Sequence, residues 1–240
     1  MRHWRLEPAH DLGLALSERM RSERRESGFI ETAAHLAWWA AVGGYLKTIH
    51  RLRVEGREHL PEDGPFVLVS NHQSHLDALV LASQLPWRLR VRTYPIAAAD
   101  TFFESPLKSA FAAAAINALP MSRGRAGVHA LQTLRDRLAN ERCIYILFPE
   151  GTRSRDGLMG PFKPGVGMFL AGTSVPAVPC HLIGTFEALA PRRHVPRPVR
   201  ITLRIGKPMT FEQMANLREG WAQIAERLER AVRGLAELDS

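Results

Sequence analysis

Residues 66–77 read FVLVSNHQSHLD. Phe66 to Ser70 is an unbroken apolar run of strand length, which fits a strand buried on both faces. A helix is expected to follow from about His75 to Gln84, with Ser74 as its N-cap. His72 and Asp77 stand five positions apart. In a continuous α-helix that offset turns the two side chains about 140° away from each other. They can meet if His72 lies in the strand-to-helix turn and Asp77 in the first helical turn. Asp77 would then hold one imidazole nitrogen and leave the other free as a base. A lone histidine is more often a surface or satisfied core residue. A His, Ser and Asp cluster directly after a buried strand, however, is where α/β proteins place their active sites.

Outward from this stretch, strands and helices alternate. A turn at residues 61–65 (PEDGP) precedes the first strand. Further strands are expected over 90–97, 118–121, 143–148, 175–183 and 199–205, the run CIYILF at 143–148 being the strongest. Helices are expected over 106–115, with Pro106 in the first turn, over 128–140, and over 211–238. Val128, Leu131, Leu134 and Leu138 share one face of the second; Met214, Leu217, Trp221, Ile224 and Leu228 are in register along the third. The fold class is therefore α/β, a mixed and largely buried sheet flanked by helices. A catalytic domain is assigned to residues 53–240 and a basic, amphipathic helical membrane-contact segment to residues 1–52.

That segment has two parts. Residues 1–28 are rich in arginine, and Leu12, Leu16 and Met20 would draw one thin apolar stripe on a basic helix. This suits either an anchor on an anionic membrane or a solvated terminal helix. Residues 29–50 are helical in pattern, with Trp38, Trp39 and Tyr45 among the apolar positions. Such aromatics fit a membrane interface, slightly preferred here over packing on the domain core. Thr32 to Leu46 and Ser109 to Ser122 are both shorter than the roughly 18 to 20 apolar residues that cross a bilayer. The N-terminal residues lack the apolar core of a secretion signal.

The 240-residue composition, 45% hydrophobic and 23% charged, is that of a globular protein and excludes a disordered one. The net charge of +8 and pI near 10.3 point to an anionic partner, whether nucleic acid, phospholipid headgroups, a phosphorylated substrate or an acidic carrier protein. Lysine occurs only at positions 47, 108, 163 and 207, so arginine carries most of the positive charge. Cys143 and Cys180 lie in apolar, strand-like runs, which reads as buried free thiols in a reducing compartment.

A second polar block, FPEGTRS at 148–154, leaves the strongest strand. Gly151 permits a tight turn, and Arg153 can grip a phosphate with its planar fork of donors. Lys163, in FKPGVG at 162–167, brings another cation to a predicted helix start, a good anion site. Separately these are ordinary solvated loops; together they describe a phosphate pocket beside a histidine base.

The pattern N-H-x-S-x-x-D followed by F-P-E-G-T-R-S resembles the glycerolipid acyltransferases typified by 1-acylglycerol-3-phosphate O-acyltransferase. A third element, Pro120-Met121-Ser122-Arg123, and a fourth, Val175-Pro176-Ala177-Val178-Pro179, follow the family's order, so the likeness covers roughly residues 50 to 210. It implies that His72 is the general base, oriented by Asp77. Asn71, Ser74, Arg123, Glu150, Gly151, Thr152, Arg153 and Lys163 become substrate-binding positions, with the arginines on the acceptor's phosphate. Pro176 and Pro179 would shape the acyl or catalytic pocket. The implied reaction carries a fatty acyl group from acyl-CoA or an acidic acyl carrier protein to a lysophospholipid hydroxyl, a step of phospholipid biosynthesis. It needs no metal, no cofactor beyond the acyl donor and no covalent acyl-enzyme. The expected partners are these substrates and an anionic phospholipid membrane, not nucleic acid. The expected location is the cytoplasmic side of a membrane, peripheral or monotopic.

Two positions depart from the family pattern. Asn117 stands where a glycine is usual, six residues before Arg123, and the stretch 97–100 (AAAD) lacks the basic residue often found there. Another lysolipid or amphiphile therefore remains an alternative acceptor. A zinc hydrolase built on His72, His75 and Asp77 lacks a second cluster with ligand spacing. A serine hydrolase using Ser70 or Ser74 lacks a G-x-S-x-G elbow. A non-enzymatic basic protein would leave the ordered polar blocks unexplained.

Overall fold

The computed structural model describes residues 29–98, 119–121, 125–193 and 195–237. Seven strands form one sheet, β1 (Arg53–Glu55), β2 (Phe66–Ser70), β3 (Thr93–Ala98), β4 (Leu119–Met121), β5 (Ile144–Leu147), β6 (Ala177–Ile183) and β7 (Thr202–Ile205), in the order β1-β7-β6-β2-β5-β3-β4. Every neighbouring pair is parallel except β6 and β7. The sheet is mixed, as its sequence pattern predicts.

Because side chains alternate across a strand, the apolar runs feed both faces. Val67, Val69, Tyr145 and Leu147 enter one core, closed by helices α4 (Arg125–Asn140), α5 (Gly165–Leu170) and α7 (Arg218–Gly234). Phe66, Leu68, Ile144 and Ile146 enter the other, closed by α1 (Phe29–Thr48), α2 (Asp77–Ser83), α3 (Trp87–Arg90) and, through Ala188, α6 (Thr185–Leu189). On α7 the buried residues Ile224, Ala225, Leu228 and Val232 recur at helical spacing. The helix lies so close to α5 that a Cβ on Gly167 would come within 2.4 Å of the Trp221 main chain. Cys143 and Cys180 are buried free thiols.

Several boundaries differ from the pattern-based reading. Pro86 starts a helical turn at 87–90, since the Leu89 and Arg90 amides bond back to its carbonyl, so β3 begins at Thr93 and not near 90. The last helix begins at Arg218, not at 211, because Leu217 is extended and Gly220 lies against the Ala215 carbonyl. Met214 and Leu217 therefore precede the helix. Helix α2 begins at Asp77, with Leu76 and not Ser74 at its N-cap. The helix expected over 106–115 and the basic stripe of Leu12, Leu16 and Met20 lie outside the described residues.

Helix α1 is not amphipathic. Trp39, Val42 and Leu46 are buried in the second core, and Arg90 lies over the Trp39 ring, 5.0 Å from its centroid. Yet the outward positions Leu36, Ala37, Trp38, Ala40 and Ala41 are apolar too. Among the described residues no helix is long and apolar enough to cross a membrane.

Candidate active site

The parallel strands β2 and β5 are neighbours, and the chain leaving their carboxyl ends builds the site, as open α/β sheets favour. At the end of β2 the Asn71 amide accepts from the Leu182 N–H at 2.8 Å and donates to the Leu182 carbonyl at 3.0 Å. The side chain thus acts like an added residue of ladder between β2 and β6. Asn71, expected as a substrate contact, is fully buried and ties the two strands together.

The next residue, His72, leaves the sheet and points its Nδ1 at Asp77 Oδ2, 2.8 Å away. Asp77 is fully buried at the first turn of α2. Its Oδ2 also accepts the main-chain N–H groups of Gln73 at 2.6 Å and Ser74 at 2.7 Å. The five-residue offset is therefore bridged because the intervening turn curls around the carboxylate. A carboxylate only accepts, so Nδ1 carries a proton in this contact, and in a neutral ring the lone pair falls to Nε2. The imidazole stacks on Phe148, the residue after β5, with centroids 4.0 Å apart and planes 15° apart. Its side chain keeps 17% exposure.

Ser74 is fully buried, its hydroxyl donating to the Leu189 carbonyl at 2.7 Å and accepting from the Leu76 N–H at 3.1 Å. Ser74, expected as a substrate contact, braces the turn against α6. Glu150, expected as an acceptor ligand, is engaged by main chain. Oε1 accepts the His72 N–H at 2.7 Å and Oε2 the Gly160 N–H at 2.9 Å. Burial pushes its carboxyl above the ordinary range, and those two N–H donors partly pull it back. The His72 carbonyl in turn accepts the Ser154 N–H at 2.8 Å.

Gly151 has φ +74°, a conformation that favours glycine. A Cβ there would lie 2.8 Å from Lys163 Nζ, so the ammonium overhangs this turn. Thr152 is exposed beside it, and the half-buried Arg153 reaches His75 Nε2 through Nη1. Burial lowers the Arg153 pKa, and the charge of Asp77 opposes that shift. Lys163 and Thr152, both exposed, and half-buried Arg153 thus form the rim of the 150–154 turn, whose Glu150 and Ser154 hold the His72 main chain. Arg123 lies outside the described residues, two positions beyond the end of β4. Pro176 precedes β6 at the opposite, amino end of the parallel strands: its carbonyl accepts the Val67 N–H, whereas Ser70 pairs with Cys180. Pro179 sits within β6 opposite Val69, one step short of the end of β2.

Among the described residues no group of three His, Cys, Asp or Glu is arranged to hold a metal ion. Motif reading gave no separate role to Phe148 or to the Ser154 amide. An aromatic residue placed immediately after the strongest strand is the one signal that could have found the first.

A sequence model of the Acyltransferase family matches residues 51–183. The chain is 35% identical over 150 residues to 1-acyl-sn-glycerol-3-phosphate acyltransferase BAT2, chloroplastic, of Brassica napus, covering 61% of this chain and 41% of that protein. It is 29% identical over 163 residues to 1-acyl-sn-glycerol-3-phosphate acyltransferase alpha of Mus musculus, covering 68% and 56%. The chain thus spans less than two thirds of the length of these relatives. The crystal structure of the 1-acyl-sn-glycerophosphate (LPA) acyltransferase PlsC from Thermotoga maritima is similar at TM-score 0.63 and 25% identity, over 87% of this chain and 82% of that one.

Proposed function

The chain belongs to the Acyltransferase family, and from that premise we propose that it moves a fatty acyl group from acyl-CoA or acyl carrier protein to the free hydroxyl of a lysophospholipid, first of all 1-acylglycerol-3-phosphate, giving phosphatidic acid. The observation that carries this reading is the 2.8 Å bond between His72 Nδ1 and buried Asp77. It leaves Nε2 as the proton acceptor. In the reaction Nε2 takes the hydroxyl proton while the acceptor oxygen bonds to the thioester carbonyl carbon. The tetrahedral adduct collapses, the C–S bond breaks, and the leaving thiolate receives the proton from the imidazolium. Asp77 stabilises that imidazolium without itself becoming protonated. The thioester is already activated, so neither a cofactor nor a metal enters the scheme.

Arg153 and Lys163 supply positive charge at the rim for the acceptor's phosphate; Arg123 joins them on its motif position alone. A membrane as partner is supported by the outward apolar positions of α1, Leu36 and Trp38, and by exposed Lys47 and Arg51 at its end. With residues 1–28 as a further basic contact, the protein would sit peripherally or monotopically on the cytoplasmic face. The buried free thiols suit that reducing side. Nucleic acid has no part in this reading. A second acceptor, another lysolipid, is favoured by Asn117 and by the uncharged stretch 97–99.

The purified chain, given a panel of lysolipids and acyl-CoAs and read by mass spectrometry, is expected to form phosphatidic acid fastest. His72→Ala should lose acyl transfer while still sedimenting with anionic vesicles. Unchanged transfer by that variant would overturn the base assignment.

A further inference from the structure

We propose that Glu150 is a positioning residue that sets the main chain of His72, and that it is not a ligand of the acceptor. The proposal rests on the acyl-transfer reading above and assigns one residue's part in it.

Glu150 is buried, 7% exposed, and each carboxylate oxygen is paired with a main-chain N–H, one of them that of His72 itself. Four residues on, the Ser154 N–H takes the His72 carbonyl. Both main-chain polar groups of the base are therefore held by one turn. That turn follows Phe148, against which the ring of the same histidine stacks. Asp77 fixes only Nδ1 and the amides of residues 73 and 74. The segment 71–74 has no regular secondary structure. At position 72 itself, the main-chain bonds run to Glu150 and Ser154.

Charge points the same way. A buried carboxylate is the wrong sign for a phosphate-bearing acceptor, whereas Arg153 and Lys163 at the rim have the right one. The Gly160 end of the clamp is closely fitted: a Cβ there would stand 3.2 Å from Oε2. A small shift of this carboxylate would move His72 relative to the acceptor oxygen, and misplacement by about 1 Å can cost roughly 10²-fold in rate.

The test compares Glu150→Gln, Glu150→Asp and Gly160→Ala with the wild-type chain, using 1-acylglycerol-3-phosphate and an acyl-CoA as probes. Gln keeps the shape, but its NH2 must face either the His72 or the Gly160 N–H. Expected for Glu150→Gln is a kcat lower by about 10²-fold with acceptor KM within about two-fold, the split that marks loss of transition-state alignment. The His72 Nδ1 proton resonance should also shift, whether or not turnover occurs. Gly160→Ala, which alters no charged group, should lower kcat less and leave KM alone, which keeps the test valid if Glu150→Gln fails to fold. Glu150→Asp should recover part of kcat. A raised acceptor KM at unchanged kcat, or no change in kcat and the His72 signal, would overturn the proposal. If the wild-type chain acylates no lysolipid at all, the functional reading fails, while the shift of the His72 resonance still decides the positioning.

Discussion

The His72 imidazole lies flat against the Phe148 ring, centroids 4.0 Å apart. With Nδ1 bound to Asp77, the stack removes the remaining freedom of the ring to tilt. It also sets a π face beneath the imidazolium that forms when the base takes a proton. A cation over an aromatic face gains about 0.5–1 kcal/mol at partly exposed sites. Phe148→Leu keeps apolar bulk but loses that face, and its kcat is expected to fall about two- to five-fold. Phe148→Ala frees the ring as well and should fall further, with acceptor KM little changed. Steady-state kinetics on both variants checks the order.

Asp77 Oδ2 gathers three donors, from His72, Gln73 and Ser74. In Asp77→Asn the amide oxygen can take the Oδ2 place, but it carries no net charge, and an NH2 turned toward Nδ1 can only donate. The histidine then loses its enforced tautomer, and the start of α2 loses a favourable anion. The expected loss in kcat is on the order of 10²–10⁴, together with a lower melting temperature. A variant that melts earlier but turns over normally would separate folding from catalysis and remove Asp77 from the mechanism.

The pattern of residues made this pair legible and left much of its surroundings hidden. FVLVS at 66–70 reads as a strand because a short apolar run has few other uses, and β2 has those same bounds. The His72–Asp77 contact follows from helix geometry once the histidine is set outside the helix. Asn71, Ser74 and Glu150 carry polar side chains in a polar motif, and nothing in their identity says that main-chain groups claim them. Those partners, at Leu182, Leu189 and Gly160, are distant in sequence or lie in irregular loops. The same limit misled the reading of residues 211–217, where helical spacing of apolar residues continues although Leu217 is extended.

Gly151 combines a positive φ with a cation at its back. Alanine there costs about 1–2 kcal/mol for the left-handed conformation. Its methyl would also meet Lys163 Nζ at 2.8 Å. The flexible lysine end will yield, so Gly151→Ala should fold at reduced stability with the ammonium displaced. Acceptor KM should then rise for a phosphate-bearing lysolipid and hardly change for an uncharged monoacylglycerol. Equal effects on both acceptors would detach Lys163 from phosphate binding.

Activity and stability should respond in opposite directions when Glu150 takes up a proton. Burial raises its folded pKa, so on acidification the folded protein gains that proton before an unfolded chain does. The folded-state cost of keeping the carboxylate charged is then relieved, and this group's contribution favours folding as pH falls through the raised value. The protonated carboxyl is a poorer acceptor for the His72 N–H, so turnover should drop over the same range. Urea midpoints and kcat, compared between the wild-type chain and Glu150→Gln, isolate the contribution: the variant should lack both.

His181 behaves in the contrary sense. It lies on β6 opposite Arg204 of β7, 9% exposed, with its Nδ1 lacking any hydrogen-bond partner. Burial chiefly, with the charges of Arg204 and Arg233 adding and the Val232 main chain partly offsetting, pushes its pKa down to about 4. An unfolded chain protonates this imidazole near the ordinary histidine value of about 6.5. Between those two values the unfolded state binds more protons, so stability falls as pH falls. The loss begins near pH 6.5 and is complete below about 4; it amounts to on the order of 3 kcal/mol. His181→Gln removes the titration. Its urea midpoint should decline less steeply than that of the wild-type chain between neutral pH and the lower limit of the window. Parallel declines would mean that His181 takes its proton in the folded protein, which the adjacent guanidinium of Arg204 and the lack of solvent both oppose.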